Sequence, residues 1–341
     1  MPLRTRTPSG QVAYPFLMVE GGEKDGKSHL ALSLSASERV GRTFVFELGE
    51  RTADEYAPLG RYEIVEHNGT YTDMLGQAHA VVAEPRVASD KPNVAIVDSD
   101  SMFWALHKDA ASAAARRSQR AVKILEKDPD ADIDVSSTYW NKAADKWWAF
   151  HNLLRAWDGI TVLTVRAGLV TKFQNGQPVA NQTEWSRDVQ KGTPFAMTGI
   201  VRVGRRSGQP PKLVEVQSLH VDVPTGGLVL PAENTLEYLI FDLLGAGGGF
   251  TQSPVVNPVE GVNAVDAKNL LWADACEIDG QNRDSALKVA AAAWIEAGLE
   301  GRAEVTDDEI KAARALLTEV ASRPAEPEQT DAEPPAESEA A

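Results

Sequence analysis

Gly21-Gly22-Glu23-Lys24-Asp25-Gly26-Lys27-Ser28 satisfies the pattern G-x-x-x-x-G-K-[ST] at every fixed position. The residues on either side supply the context that the pattern needs. Tyr14 to Glu20 is a short apolar run of the kind that forms a buried parallel strand. Ser28 to Ser35 sets Leu30 and Leu34 on one helical face. Strand, glycine loop and helix in that order make a phosphate cradle, the P-loop. The glycines let the backbone curl until several N–H groups point at phosphate oxygens, and the helix N-terminus adds partial positive charge. In such a cradle Lys27 reaches the β- and γ-phosphates and the Ser28 hydroxyl sits on Mg²⁺. Gly21, Gly22, Glu23, Lys24, Asp25, Gly26, Lys27, Ser28 and His29 are therefore the candidate nucleotide-contacting residues. The competing reading is a surface glycine turn with an exposed lysine.

Outward from the loop, three further strands end in polar groups. Thr43 to Leu48 is rich in β-branched and aromatic residues and carries Glu47 and, just beyond it, Glu50. Carboxylates at the C-terminal edge of a parallel sheet face the crevice where ligands bind. One of the two is a candidate to orient or deprotonate a water attacking the γ-phosphate, the alternative being a solvated strand end. Val94 to Val97 is an apolar run closed by Asp98, an acid presented toward Mg²⁺, while Asp100 suits a helix N-cap. Ile160 to Val165 ends in Arg166, a cation placed to sense the γ-phosphate.

The remaining segments read as follows. Tyr71 to Ala83 is a helix with Met74, Ala78 and Val82 on one face, and Met102 to Lys127 is a long helix. The latter carries Arg116, Arg117, Arg120, Lys123 and Lys127, either a solvated face or a contact to a phosphate backbone. Tyr139 to Trp157 is a helix whose Trp140 and Trp147 suit core or oligomer packing. Residues 167–195 are long and polar, with a hairpin turn at Gln174-Asn175-Gly176-Gln177. Their Lys172, Phe173, Trp185, Arg187 and Lys191 mix cations with aromatics, as suits single-stranded nucleic acid, unless the segment is an ordinary hairpin excursion. Leu236 to Leu244 is a short helix, and Gly245 to Gly249 is a flexible break. Val265 to Ala275, Asp284 to Ala297 and Thr306 to Ser322 are helices, the last opened by a capping box at Thr306-Asp307-Asp308-Glu309. This divides the chain into a core over 1–245, a linker over 246–264, a helical appendage over 265–323 and a tail over 324–341.

Composition sets the outer bounds. With 341 residues and 43% hydrophobic content the chain can bury a sizeable core. No run approaches the ~20 apolar residues of a membrane span, and the start has no signal-peptide core. Cys276 is the single cysteine and the six histidines lack ligand spacing, so a cysteine metal site and an intrachain disulfide are excluded and a reducing cytoplasm is expected. The net charge of −15 includes Glu326, Glu328, Asp331, Glu333, Glu337 and Glu339 in a Pro/Glu/Ala tail expected to be disordered. An acidic body argues against tight, permanent nucleic-acid binding except through a local basic patch.

The order of these motifs resembles that of the RecA-like ATPases, and more narrowly the phage-encoded RecA-like ATPases associated with single-strand annealing and recombination. The resemblance covers about residues 10–245. It implies an α/β fold, a RecA-like P-loop NTPase core with a mostly parallel central sheet, followed here by the α-helical appendage and acidic tail. It implies ATP and Mg²⁺ binding, slow ATP hydrolysis, homo-oligomerisation and single-stranded DNA as partner. By position, Lys27 and Ser28 match the P-loop, Glu47 or Glu50 the catalytic glutamate, Asp98 the metal-side acid and Arg166 the polar sensor. Residues 167–195 lie where the family keeps a mobile DNA-binding loop. One departure is plain. Full recombinases place two lysines on a late strand reaching the neighbour's ATP site, whereas Leu213 to Leu219 has none, leaving Arg205 or Arg206 as substitute cations. The functional expectation is an ATP-dependent DNA recombination or annealing factor. Its alternatives are a nucleotide-locked scaffold that binds no DNA and a small-molecule kinase.

Overall fold

The computed structural model describes residues 5, 7–49, 52–174, 177–245, 249–251, 262–263, 268, 271–272, 274–275, 283–300, 304–305 and 307–322. Glu50, Asn175, Gly176, Cys276, Thr306 and the acidic tail lie outside the described residues, as does most of the helix expected over 265–275. The chain divides into two compact units, residues 1–255 and 256–341.

The first unit has the expected α/β fold class, built around a mostly parallel central sheet. Its strands are β1 (Val12–Ala13), β2 (Phe16–Gly21), β3 (Thr43–Glu47), β4 (Glu63–Ile64), β5 (Val94–Asp98), β6 (Ile160–Gln174), β7 (Gln177–Arg187), β8 (Gly199–Gly204), β9 (Gln209–Val216), β10 (Leu228–Val229) and β11 (Phe250–Thr251). The main sheet runs β10-β9-β8-β2-β6-β5-β3-β4, parallel from β4 through β8 and antiparallel at β9 and β10. A short parallel pair joins β1 to β11.

Burial on both faces explains why β2 is apolar at every position before Glu20 rather than alternating. Leu17 and Val19 point into one core with Leu32, Val45, Ile96 and Val162. Phe16 and Met18 point into the other, with Phe46, Val97, Phe103, Trp147 and Phe150. Helices α1 (Lys27–Ser33), α2 (Tyr71–Ala83), α3 (Asp100–Arg116), α4 (Gln119–Leu125) and α5 (Ser137–Ala156) connect the strands. Thr70 caps α2 through the Asp73 N–H, and Ser99 caps α3 through that of Met102. Trp147 is fully buried and so belongs to the core, while Trp140 is partly exposed.

One segment differs from its sequence reading and another resolves between two. The long helix expected over Met102 to Lys127 is broken into α3 and α4, because Ser118 turns its side chain to the Ala121 N–H and starts a new helix. Of the two readings of 167–195, the hairpin excursion is the one observed, as an antiparallel ribbon over 167–174 and 177–187: β6 continues to Gln174 and pairs with β7, Leu169 opposite Trp185 and Thr171 opposite Thr183. β-Branched and aromatic cross-strand pairs hold such a ribbon together.

The second unit contains a two-stranded antiparallel pairing of Val262–Asn263 with Glu304–Val305 and the helices Arg283–Glu296 and Asp307–Ala321. Leu271, Ala286, Ala290, Trp294, Ile310 and Leu317 form its core. No helix among the described residues is long and apolar enough to cross a membrane.

Candidate nucleotide site

The P-loop leaves the C-terminal end of β2 and feeds α1, and two of its glycines answer definite geometric demands. A Cβ on Gly21 would stand 2.8 Å from the Val203 carbonyl oxygen and 2.9 Å from its Cγ2, so only glycine lets β8 lie this close. Gly26 sits at φ 92°, in the left-handed region that glycine enters without steric cost. The loop is tied internally and sideways. The Gly22 N–H donates to Asp25 Oδ2 at 2.9 Å, and Lys27 Nζ donates to the Gly22 carbonyl at 2.7 Å. On the other side, the Arg206 N–H donates to Asp25 Oδ1 at 3.0 Å and the Arg205 N–H to the Asp25 carbonyl at 3.4 Å. Asp25 thus fastens the P-loop to the turn between β8 and β9.

In front of the loop lies a cleft of about 940 Å³, lined among others by Lys27, Ser28, His29, Asp98, Arg166 and Arg205. Each candidate arrives from its own element. Asp98, buried at the end of β5, accepts a hydrogen bond from the Thr164 hydroxyl of neighbouring β6. Arg166 stands opposite Gly21 in the β2–β6 register, and its N–H donates to Ser101 Oγ at 2.8 Å. Tyr56 and Thr52 close another wall, and the His29 and Tyr56 rings meet edge to face at 6.3 Å.

Glu47 lies opposite Asp98 in the β3–β5 register, but it is not among the cleft-lining residues. Its Oε1 accepts the Ala53 N–H at 2.9 Å, which ties down the chain leading to Tyr56. Glu50, its rival, lies outside the described residues.

The hairpin side chains are placed less simply than their composition implied. Arg187 donates through Nε to the fully buried Glu20 and through a terminal nitrogen to Glu215 at 2.6 Å. Burial alone would lower the Arg187 pKa; the hydrogen bonds and charges of Glu20 and Glu215 outweigh it and hold the pKa above the ordinary value. Arg202 donates to the other Glu20 oxygen at 2.7 Å, and its guanidinium lies 3.9 Å from the Trp185 ring centroid. Arg187 and Trp185 are thus engaged at the root of the ribbon, whereas Lys172 and Phe173 are exposed farther out. Arg116, Arg117, Arg120, Lys123 and Lys127 are all exposed.

No family model matches this sequence, and no curated protein matches it. Among solved structures the chain is similar to the crystal structure of the RadB recombinase, at 13% identity over 61% of this chain and 83% of that one, with a TM-score of 0.29. It is also similar to the assembled ATPase EscN of the enteropathogenic E. coli type III secretion system, at 12% identity over 91% of this chain and 67% of that one, with a TM-score of 0.28.

Sequence reasoning did not find Thr52, Tyr56 or Thr164, which carry no motif. It named Arg205 only as a cation for a neighbour's site. The donor set of the cleft fits a magnesium-bound polyphosphate. Ser28 and Asp98 offer hard oxygen ligands, and Lys27, Arg166 and Arg205 offer cations. Among the described residues no group of three or more His, Cys, Asp or Glu could hold a metal. A divalent ion here would draw its other ligands from phosphate and water, the habit of Mg²⁺.

Proposed function

We propose that this chain binds ATP with Mg²⁺ and hydrolyses it to ADP and phosphate, as a RecA-like ATPase of the phage annealing and recombination type. The observation that carries the reading is the meeting of Lys27, Ser28, Asp98 and Arg166 in one cleft, from the P-loop, α1, β5 and β6. Lys27 would contact the β- and γ-phosphates, with the loop N–H groups around it. Ser28 and Asp98 would hold Mg²⁺, which neutralises phosphate charge when bound. Glu47 or Glu50 would take the proton of the attacking water as its oxygen bonds to the γ-phosphorus and the bridging oxygen leaves with ADP. Arg166 would read the γ-phosphate and, lying on the strand that becomes the ribbon, pass its presence to the ribbon.

The partner in this reading is single-stranded DNA, engaged by an oligomer of this chain. The basic cluster of α3 and α4 supplies backbone contacts, and Lys172 with Phe173 supplies contacts toward the ribbon tip. Steady-state ATP hydrolysis, measured with and without single-stranded DNA, tests the proposal. DNA-stimulated turnover that disappears in Lys27→Ala is the expected result. Turnover unchanged in Lys27→Ala would remove the P-loop assignment. ATP binding with no DNA binding at low salt would leave the scaffold reading.

A further inference from the structure

We infer that Arg205 is a phosphate-contacting residue of its own chain's nucleotide site, not a cation sent to a neighbouring copy. The inference rests on the ATP reading above and adds a residue to it.

Three observations place Arg205. The first is its tether. Strand β8 lies beside β2 with Glu20 opposite Arg202, so the β8–β9 turn emerges next to the P-loop. Asp25 then fastens that turn through the Arg205 and Arg206 N–H groups. The second is the side chain's position. A Cβ built on Gly26 would meet Arg205 Cδ at 3.5 Å and Arg205 Cβ at 3.8 Å, so the aliphatic stem runs over the glycine preceding Lys27. Arg205 lines the same cleft as Lys27 and Arg166, whereas Arg206 is not among the lining residues. The third is its chemistry. Among the described residues Arg205 has no carboxylate partner, unlike Arg187 and Arg202, whose charges are taken by Glu20. A guanidinium offers a planar fork of donors that matches two phosphate oxygens. The short tether and the missing acid leave that fork for the ligand of the adjoining loop.

Two measurements test this. Binding of a fluorescent ATP analogue with Mg²⁺ is measured for wild type, Lys27→Ala, Arg205→Ala and Arg205→Lys, with circular dichroism confirming each fold. Arg205→Ala should weaken binding about ten- to a hundredfold, the loss of a charge-assisted contact, and Arg205→Lys should restore part of it. Then Lys27→Ala and Arg205→Ala chains are mixed in equal amounts and ATP hydrolysis is measured. An own-chain arginine predicts turnover no greater than the two variants show separately, because every site lacks one residue. A neighbour-reaching arginine predicts recovery toward about a quarter of wild-type turnover, because an intact P-loop would meet an intact arginine at random interfaces. Recovery of that kind, or wild-type affinity in Arg205→Ala, overturns the inference while leaving the ATP reading intact. Wild-type protein that binds no ATP analogue, or binds it no better than Lys27→Ala, overturns the ATP reading itself.

Discussion

Replacing Glu20 by glutamine should loosen the ribbon and the P-loop together. Glu20 is fully buried and is the last residue before Gly21. One carboxylate oxygen accepts from Arg187 and the other from Arg202 at 2.7 Å. An amide has nearly the same shape but only one accepting oxygen, and its NH₂ would face an arginine donor. Each lost charge-assisted bond contributes about 1.5–3 kcal/mol. Part of that loss is recovered, because the Arg187 and Arg202 side chains keep 17% and 35% exposure and can turn to water. Arg187 also keeps Glu215. The expected net cost is therefore about 2–4 kcal/mol, below the full penalty for two orphaned buried charges. Denaturant unfolding of wild type, Glu20→Gln, Arg187→Met and the double variant measures it. The coupling between the two positions should be about 1–3 kcal/mol. Hydrogen exchange should show residues 167–187 losing protection first, because Arg187 closes the root of the ribbon. A stability loss under about 0.5 kcal/mol, or unchanged protection in the ribbon, would refute this account of how the ribbon is anchored.

Three further outcomes are expected. One of Glu47→Gln and Glu50→Gln should keep ATP binding and lose hydrolysis, and Asp98→Asn should raise the Mg²⁺ concentration needed for half-maximal turnover; normal turnover in both single Gln variants and the double variant would exclude these carboxylates. Replacing Arg116, Arg117 and Arg120 together by alanine should weaken single-stranded DNA binding and make the slope of log affinity against log salt shallower by about 2, whereas an unchanged slope would take the DNA path off α3 and α4. Acidification should destabilise the fold through His107, whose pKa is pushed from 6.5 down to about 4 by burial first and then by the charges of Lys146 and His151, against Asp100. Since the unfolded chain takes up this proton first, the His107 contribution is complete above about pH 6.5 and is lost as pH falls toward 4, about 2–3 kcal/mol in all. Between those pH values wild type should lose about 2–3 kcal/mol more stability than His107→Phe, and parallel curves would refute the assignment.

The parts of the site that could be read from sequence are local. Strand, loop and helix around Lys27 are contiguous, and a buried strand closed by Asp98 has a pattern that can be recognised within one short window. The placement of Arg166 could be read because it follows directly from the strand that carries it. The contacts that support the P-loop from the side were not legible, because they depend on which strands become neighbours. Arg202 and Arg187 reach Glu20 across 182 and 167 residues of sequence, and Arg206 reaches Asp25 across 181. No spacing rule spans such distances. The aromatic and cationic composition of 167–195 was visible, but it could not show that Arg187 and Trp185 would be drawn into the ribbon's root while Lys172 and Phe173 stayed outside.

Those long-range contacts share one geometric cause. β2 lies between β6 and β8, so the residues at its C-terminal end meet both neighbours at once. Glu20 binds the base of the ribbon that grows from β6 and the Arg202 side chain on β8. Five residues later Asp25 binds the turn that follows β8. A displacement of the P-loop by a bound phosphate would therefore pull on two anchors, one leading to Arg205 and the other to the exposed ribbon. On the proposed reading, this arrangement would bring Arg205 to the phosphate and link the nucleotide site to the ribbon within one copy.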